Sequence, residues 1–217
     1  MKKYIAEFIG TFSMVFCGTG AIVINETTNG AVTHIGIAVT FGLIVMAMIY
    51  SLGNISGAHL NPAVTIAFAV AKKFPVKEIF PYTVFQLAGA FGASFVLKYL
   101  FPGNLLLGAT LPAGSELQSF ILEIILTFFL MFVIINVSHG SKEQGLMAGI
   151  AIGSVVLLEA IFAGPISGAS MNPARSIAPA FVSGNITHVW IYIFAPLIGS
   201  VLAVFTFKIL TSPNQEN

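Results

Sequence analysis

Apolar residues run along the chain in blocks of about twenty, separated by short polar stretches. A helix needs about 20 largely apolar residues to cross the hydrocarbon core of a bilayer. Six blocks meet that length: Tyr4 to Ile24, Thr33 to Leu52, Phe80 to Leu100, Leu117 to Val137, Gly145 to Ala163 and His188 to Leu210. Linkers such as NETTNGAV and FPGNLLLGATLPAGS are rich in Gly, Asn, Thr and Pro, which punctuate helices. Two further apolar segments, Asn61 to about Ala71 and Asn172 to about Val182, are too short to span. At 1.5 Å per residue each reaches about 15 Å, half the hydrocarbon thickness, so a pair meeting end to end makes one crossing. The pattern predicts an all-α membrane protein of six transmembrane helices plus two re-entrant half-helices.

Composition agrees. Of 217 residues 57% are hydrophobic and 8% charged, against roughly 25% charged in a soluble domain, so most of the exterior faces hydrocarbon. A net charge of +1 suggests neither nucleic acid nor an acidic partner. The single cysteine, Cys17, excludes an internal disulfide, and no Cys/His cluster has metal-ligand spacing, so no metal or cofactor is expected. The start, MKKYIAEFIG, has no small-residue cleavage site after its apolar run and reads as a retained span. Lys2, Lys3, Lys72, Lys73, Lys77, Lys142 and Lys208 fall on one side of the six spans; only Lys98 and Arg175 fall on the other. The positive-inside rule then puts both termini in the cytoplasm of a multi-pass protein of the cell (plasma or inner) membrane.

The two halves of the chain resemble each other. Ser56-Gly-Ala-His-Leu-Asn-Pro-Ala-Val64 aligns with Ser167-Gly-Ala-Ser-Met-Asn-Pro-Ala-Arg175, identical at six of nine positions, and Glu7-Phe-Ile-Gly-Thr-Phe12 echoes Glu123-Ile-Ile-Leu-Thr-Phe128. The chain is expected to be one domain, 1–217, built of repeats at about 1–105 and 116–210. Three spans per half is an odd number, so the repeats are inverted, which brings interrupted helices together at the midplane where solute sites form. Loop backbone at that depth survives only if buried in protein or lining a wet cavity.

Asn-Pro suits a helix start: Asn is a favoured N-cap, and Pro at the first helical position gives up a donor that had no partner. With the cap carbonyls of Asn61 and Asn172 turned to the helix backbone, their amide hydrogens are expected to point into a lumen. Both half-helices aim positive dipole ends, about half a charge each, at one central point, repelling cations while an oxygen lone pair passes. Two ordinary N-caps are the plainer alternative. Arg175 sits in the first turn of the second half-helix, where the dipole disfavours a cation. Water and backbone carbonyls in a narrow mouth would offset that; the alternative is a snorkelling surface arginine.

Two Asn-Pro-Ala motifs, at 61–63 and 172–174, with Arg175 after the second and paired glutamates in spans one and four, resemble the major intrinsic protein (aquaporin) family over nearly the whole chain. AGPISGASMNPARSIAPAF (163–181) and Tyr192-Ile193 look most like its nodulin-26-like branch and bacterial relatives. The resemblance implies a pore in each protomer of a homotetramer in the lipid bilayer. It implies a passive channel for water and small uncharged solutes, glycerol or metalloid hydroxides such as arsenous or boric acid, that excludes protons and ions. Pro62, Ala63, Pro173 and Ala174 complete the two motifs around the asparagines. The family's spacing makes Phe41, Ala160, Ala169 and Arg175 the selectivity filter. Water-selective members usually carry a histidine where this chain has Ala160, so a wider, partly apolar filter is expected; packing is the alternative for Ala and Phe. A water-selective pore remains the rival reading.

His59, two residues before Asn61, reads equally as pore lining or loop packing, while His34, His139 and His188 read as interfacial. Glu7 and Glu123 are expected to accept hydrogen bonds from loop backbone and pin the re-entrant segments, with proton relay as the alternative. Glu159 either braces the loop carrying Ala169 or is a protonated core acid. Gly89 and Ala93, Gly149 and Gly153, and Ala195, Gly199 and Ala203 recur at four-residue spacing and predict close helix contacts. A secondary transporter would need ionisable groups at the midplane, where two neutral asparagines stand. No Gly-x-Ser-x-Gly, His-Glu-x-x-His or paired catalytic aspartate marks an enzyme.

Overall fold

The computed structural model describes residues 1–138 and 145–211; His139 and Lys142 lie outside them. Eight α-helices occupy the described residues: α1 (Lys2–Thr27), α2 (Thr33–Ser56), α3 (Pro62–Val70), α4 (Ile79–Leu100), α5 (Glu116–Val137), α6 (Ala148–Ser167), α7 (Pro173–Ser183) and α8 (Val189–Thr211). All but α3 and α7 are long and apolar enough to cross a membrane. The protein is an all-helical, multi-pass membrane protein.

α6 continues to Ser167, four residues beyond the expected Ala163, with Pro165 inside its last turn. Proline has no N–H to give the carbonyl four residues back. That carbonyl belongs to Ile161, and it accepts from His34 Nε2 at 2.6 Å instead. His34, exposed near the start of α2, thus satisfies the acceptor that the proline orphans.

Each half packs alike: α1 against α2 and α4, α5 against α6 and α8, with α2 on α6 joining the halves. The expected small residues are buried at these seams. A Cβ at Gly89 would strike the Phe8 carbonyl, and one at Gly199 the Ile124 carbonyl, so these two crossings are set by backbone meeting backbone. Gly42, which the four-residue spacing did not single out, faces Gly153: a Cβ on either would come within 2.7 Å of the other's carbonyl oxygen.

Large apolar side chains such as Leu43, Phe95, Leu158 and Phe194 point outward, while Glu7, Gln86, Glu123, Glu159 and Arg175 are buried. Hydrocarbon rewards the first arrangement, and the second places costly polar groups where protein partners or water can meet them.

Candidate functional site

α3 and α7 meet N-terminus to N-terminus. Both begin with an extended Asn (φ −155° at Asn61, −151° at Asn172) followed by proline at the first helical position. Asn61 Oδ1 accepts from the Ala63 N–H at 2.9 Å, and Asn172 Oδ1 from the Ala174 N–H at 3.0 Å. The amide nitrogens cross over: Asn61 Nδ2 donates to the Met171 carbonyl at 2.8 Å, and Asn172 Nδ2 to the Leu60 carbonyl at 2.9 Å. Capping alone leaves all these amide hydrogens free for a lumen. Instead one hydrogen of each asparagine ties the two loops together, Asn172 Nδ2 also lies 3.7 Å from Met14 Sδ, and both asparagines line the cavity.

The loops before the asparagines share one backbone path. Gly57 and Gly168 end α2 and α6 in the left-handed region, at φ 85° and 86°. Ala58 and Leu60 follow at φ 47° and 52°, matched by Ala169 and Met171 at 41° and 54°. Such a conformation costs a residue with a side chain roughly 1–2 kcal/mol, so the surroundings must impose it. Glu7 does so in the first half, accepting from the His59 N–H (2.9 Å), the Leu60 N–H (2.7 Å), Ser56 Oγ (2.7 Å) and Gln86 Nε2 (2.7 Å). Glu123 accepts from the Ser170 N–H (2.9 Å), the Met171 N–H (2.8 Å) and Ser167 Oγ (2.7 Å). Buried tyrosines complete each turn: Tyr82 donates to the Ser56 carbonyl and Tyr192 to the Ser167 carbonyl.

The outer ends of the half-helices are held as well. Lys208 Nζ donates to the Val70 carbonyl at the end of α3, and Lys98 Nζ to the Val182 carbonyl near the end of α7. A cation there complements the negative end of the dipole. Sequence reasoning counted both lysines only as markers of membrane side and did not assign the tyrosines to the loops. Yet Tyr82 and Tyr192, like Lys98 and Lys208, stand 110 residues apart, a repeat signal that could have found both pairs.

A cavity of about 480 Å³ runs past the paired asparagines, with Asn54 and His59 on one side of them and Phe41, Ala160, Ala169 and Arg175 on the other. The four expected filter residues thus come together from α2, α6, the loop before α7 and α7 itself. Arg175 is buried, not snorkelling: Nη1 donates to the Gly108 carbonyl at 2.7 Å, and the guanidinium lies 5.2 Å from the centre of the Phe41 ring. Gly108 was not foreseen; it sits at φ 69° in the linker between α4 and α5, where nothing but composition was legible. Thr110 in the same linker donates to Ser176 Oγ (2.7 Å), which shares a hydrogen with Ser170 Oγ (2.6 Å), so this linker is fastened to both sides of the second asparagine.

His59 both lines the cavity and packs. Its Nδ1 is 3.1 Å from Thr65 Oγ1, and its ring rests against Phe68, Phe74 and Tyr82. His188, half-buried, lies with Nδ1 2.7 Å from Glu116 Oε1. Cys17 is partly buried on α1 and away from the cavity wall.

The Major intrinsic protein family model matches residues 1–207, two crossed Asn-Pro-Ala turns included. The chain belongs to that family. This aquaporin-type channel is 46% identical to Aquaporin NIP1-1 of Zea mays over 99% of its own length and 77% of that protein's. It is 46% identical to Nodulin-26 of Glycine max, over 97% and 78% of the two chains. Among solved structures, the aquaglyceroporin from Plasmodium falciparum superposes with a TM-score of 0.89 at 28% identity, covering 98% of this chain and 97% of that one.

Proposed function

We propose that this aquaporin-type channel conducts water together with small uncharged hydroxylated solutes, glycerol and neutral metalloid hydroxides such as arsenous or boric acid, and excludes protons and ions. The observation that carries the reading is the filter set: one guanidinium, one aromatic ring and two methyl side chains, those of Ala160 and Ala169, line the same cavity. A solute that enters sheds part of its hydration shell. Arg175 donates to a hydroxyl oxygen, while the carbon or metalloid face rests on Phe41 and the alanines. At the centre the second amide hydrogens of Asn61 and Asn172 donate again, that of Asn172 in exchange for its weak contact with Met14 Sδ. Two dipole ends of about half a charge each, with Arg175 beyond them, oppose a cation and a hydronium ion.

The chain acts as one unit of two inverted repeats, about 1–105 and 116–210, assembled as a homotetramer in the cell membrane. Both termini lie in the cytoplasm, on the side where Lys2, Lys3, Lys72, Lys73, Lys77 and Lys208 gather. Nothing in the route requires a bond to be made or broken, so no catalytic group is needed. The relationship to Nodulin-26 and the likeness to an aquaglyceroporin support the wider solute range. Osmotic light scattering of proteoliposomes tests it. Water, glycerol and arsenous acid should each cross faster than in empty vesicles; fast water with neither solute would leave a water-selective pore.

A further inference from the structure

Glu159 differs from the other buried acids. It stands on α6 immediately before Ala160 and is 1% exposed, yet neither carboxyl oxygen has a hydrogen-bond partner among the described residues. Glu7 and Glu123, equally buried, gather four and three donors between them and their loops. A brace on the loop carrying Ala169, one role open from the sequence, is not made. The N–H groups of that loop are already taken, Ala169 by Ser167 Oγ and Ser170 and Met171 by Glu123. Leaving a carboxyl group buried and unpaired is expensive, and in a membrane protein an embedded ionisable group marks function by default.

Its place on the helix narrows what it could do. Ile152, Val156 and Ala160 line the cavity at four-residue spacing. Successive helical residues are turned by about 100°, which sets Glu159 on the flank of that stripe, close to the direction of Ile152. That direction belongs to the cavity side, yet the buried Glu159 is not among the residues that line the cavity, so it stands in the wall beside the filter. Among the described residues no cation and no N–H pairs with its oxygens. A protonated carboxyl offers one O–H donor and one carbonyl acceptor.

We propose that Glu159 holds a water molecule in the wall of the filter, and that this water supplies passing hydroxyl groups with a hydrogen-bond partner on the side Ala160 leaves apolar. A buried water needs two or more polar partners; the carboxyl provides two, and the file of water or solute hydroxyls in the channel provides the third. The small Ala160 side chain matters here, because bulk at that position would stand between the flank and the lumen. Glu159 is thus a specificity-determining residue for polyols and neutral hydroxides. The inference rests on the wide-filter reading above.

The test compares native, Glu159→Gln and Glu159→Leu channels in proteoliposomes, reading glycerol flux against water flux. Glu159→Gln keeps a donor and an acceptor and should keep the native ratio. Glu159→Leu should lower glycerol flux roughly fivefold, the share of one ordinary hydrogen bond, with water flux close to native. A Glu159→Leu channel with the native ratio overturns the proposal. Absence of glycerol flux in the native channel would instead overturn the wide filter. In that event, or if Glu159→Leu does not fold, a high-resolution structure of the native protein decides the water site. An ordered oxygen about 2.7–3.2 Å from the carboxyl supports it, and a dry carboxyl overturns it.

Discussion

Gly18→Ala is a single-methyl test of what sets the filter's width. Gly18 lies on α1 directly behind Phe41, and a Cβ added there would meet three atoms of the ring, two of them at 2.5 Å. Ordinary carbon–carbon contacts are about 3.5–4.0 Å, so the ring must give by more than about 1 Å, most at Cε1, its nearest atom. α1 has little freedom to retreat, being packed on α4 as well as α2. The ring's other side faces the cavity and Arg175. Overpacking of this kind costs typically 1–3 kcal/mol. If about 1.4 kcal/mol of it falls on the barrier met by a solute that fills the filter, the flux of that solute drops about tenfold. A single file of water needs less width and should lose much less. Stopped-flow scattering on matched proteoliposomes reads both fluxes, and circular dichroism checks that the variant is folded. A folded Gly18→Ala channel with an unchanged glycerol-to-water ratio would refute the claim that Phe41 bounds the filter from this side.

Arg175→Val removes the filter cation together with its bond to the Gly108 carbonyl. Water flux should persist while cation leak rises at least about tenfold, equivalent to ~1.4 kcal/mol off the barrier, measured by ion-dependent dye quenching in the same vesicles; a variant as ion-tight as the parent contradicts this role. Mercurials should inhibit only weakly, because Cys17 lies away from the cavity wall and the filter position near the second motif is Ala169. A strong, reversible block that disappears in Cys17→Ser would put that thiol in the water path.

Much of the fold was legible because a bilayer imposes a simple length rule. Spans, half-helices and the inverted repeat followed from apolar block length and from two nine-residue copies of one motif. Helix ends were less legible: the span expected to end at Ala163 runs on to Ser167 through Pro165, where a histidine from another helix takes the orphaned carbonyl. The candidate site divides the same way. Side chains tied to the motif, such as Asn61, Asn172 and Arg175, could be placed by spacing. Groups that meet them through long-range backbone contacts could not. The Gly108 carbonyl is anonymous in sequence, as any carbonyl is, and Gly18 reveals its role only once the Phe41 ring lies against it. The crossed asparagine amides were misjudged for a related reason. Capping rules describe one helix at a time, whereas here each cap's spare donor is used by the opposite loop.

In the proposed wide filter, missing bulk at position 160, more than any other feature of the pore, lets hydroxylated solutes through beside water. The most direct measurement is the paired flux of glycerol and water through native and Ala160→His channels reconstituted at equal density. Ala160 is buried in the cavity wall facing Phe41, Ala169 and Arg175, so an imidazole there fills the space a polyol would use while leaving a path for single-file water. Native glycerol flux should stand well above that of empty vesicles, and an Ala160→His channel should lose about tenfold or more of it, ~1.4 kcal/mol of added barrier, with water flux reduced far less. Equal loss of both fluxes, or a native channel closed to glycerol and arsenous acid, would contradict it.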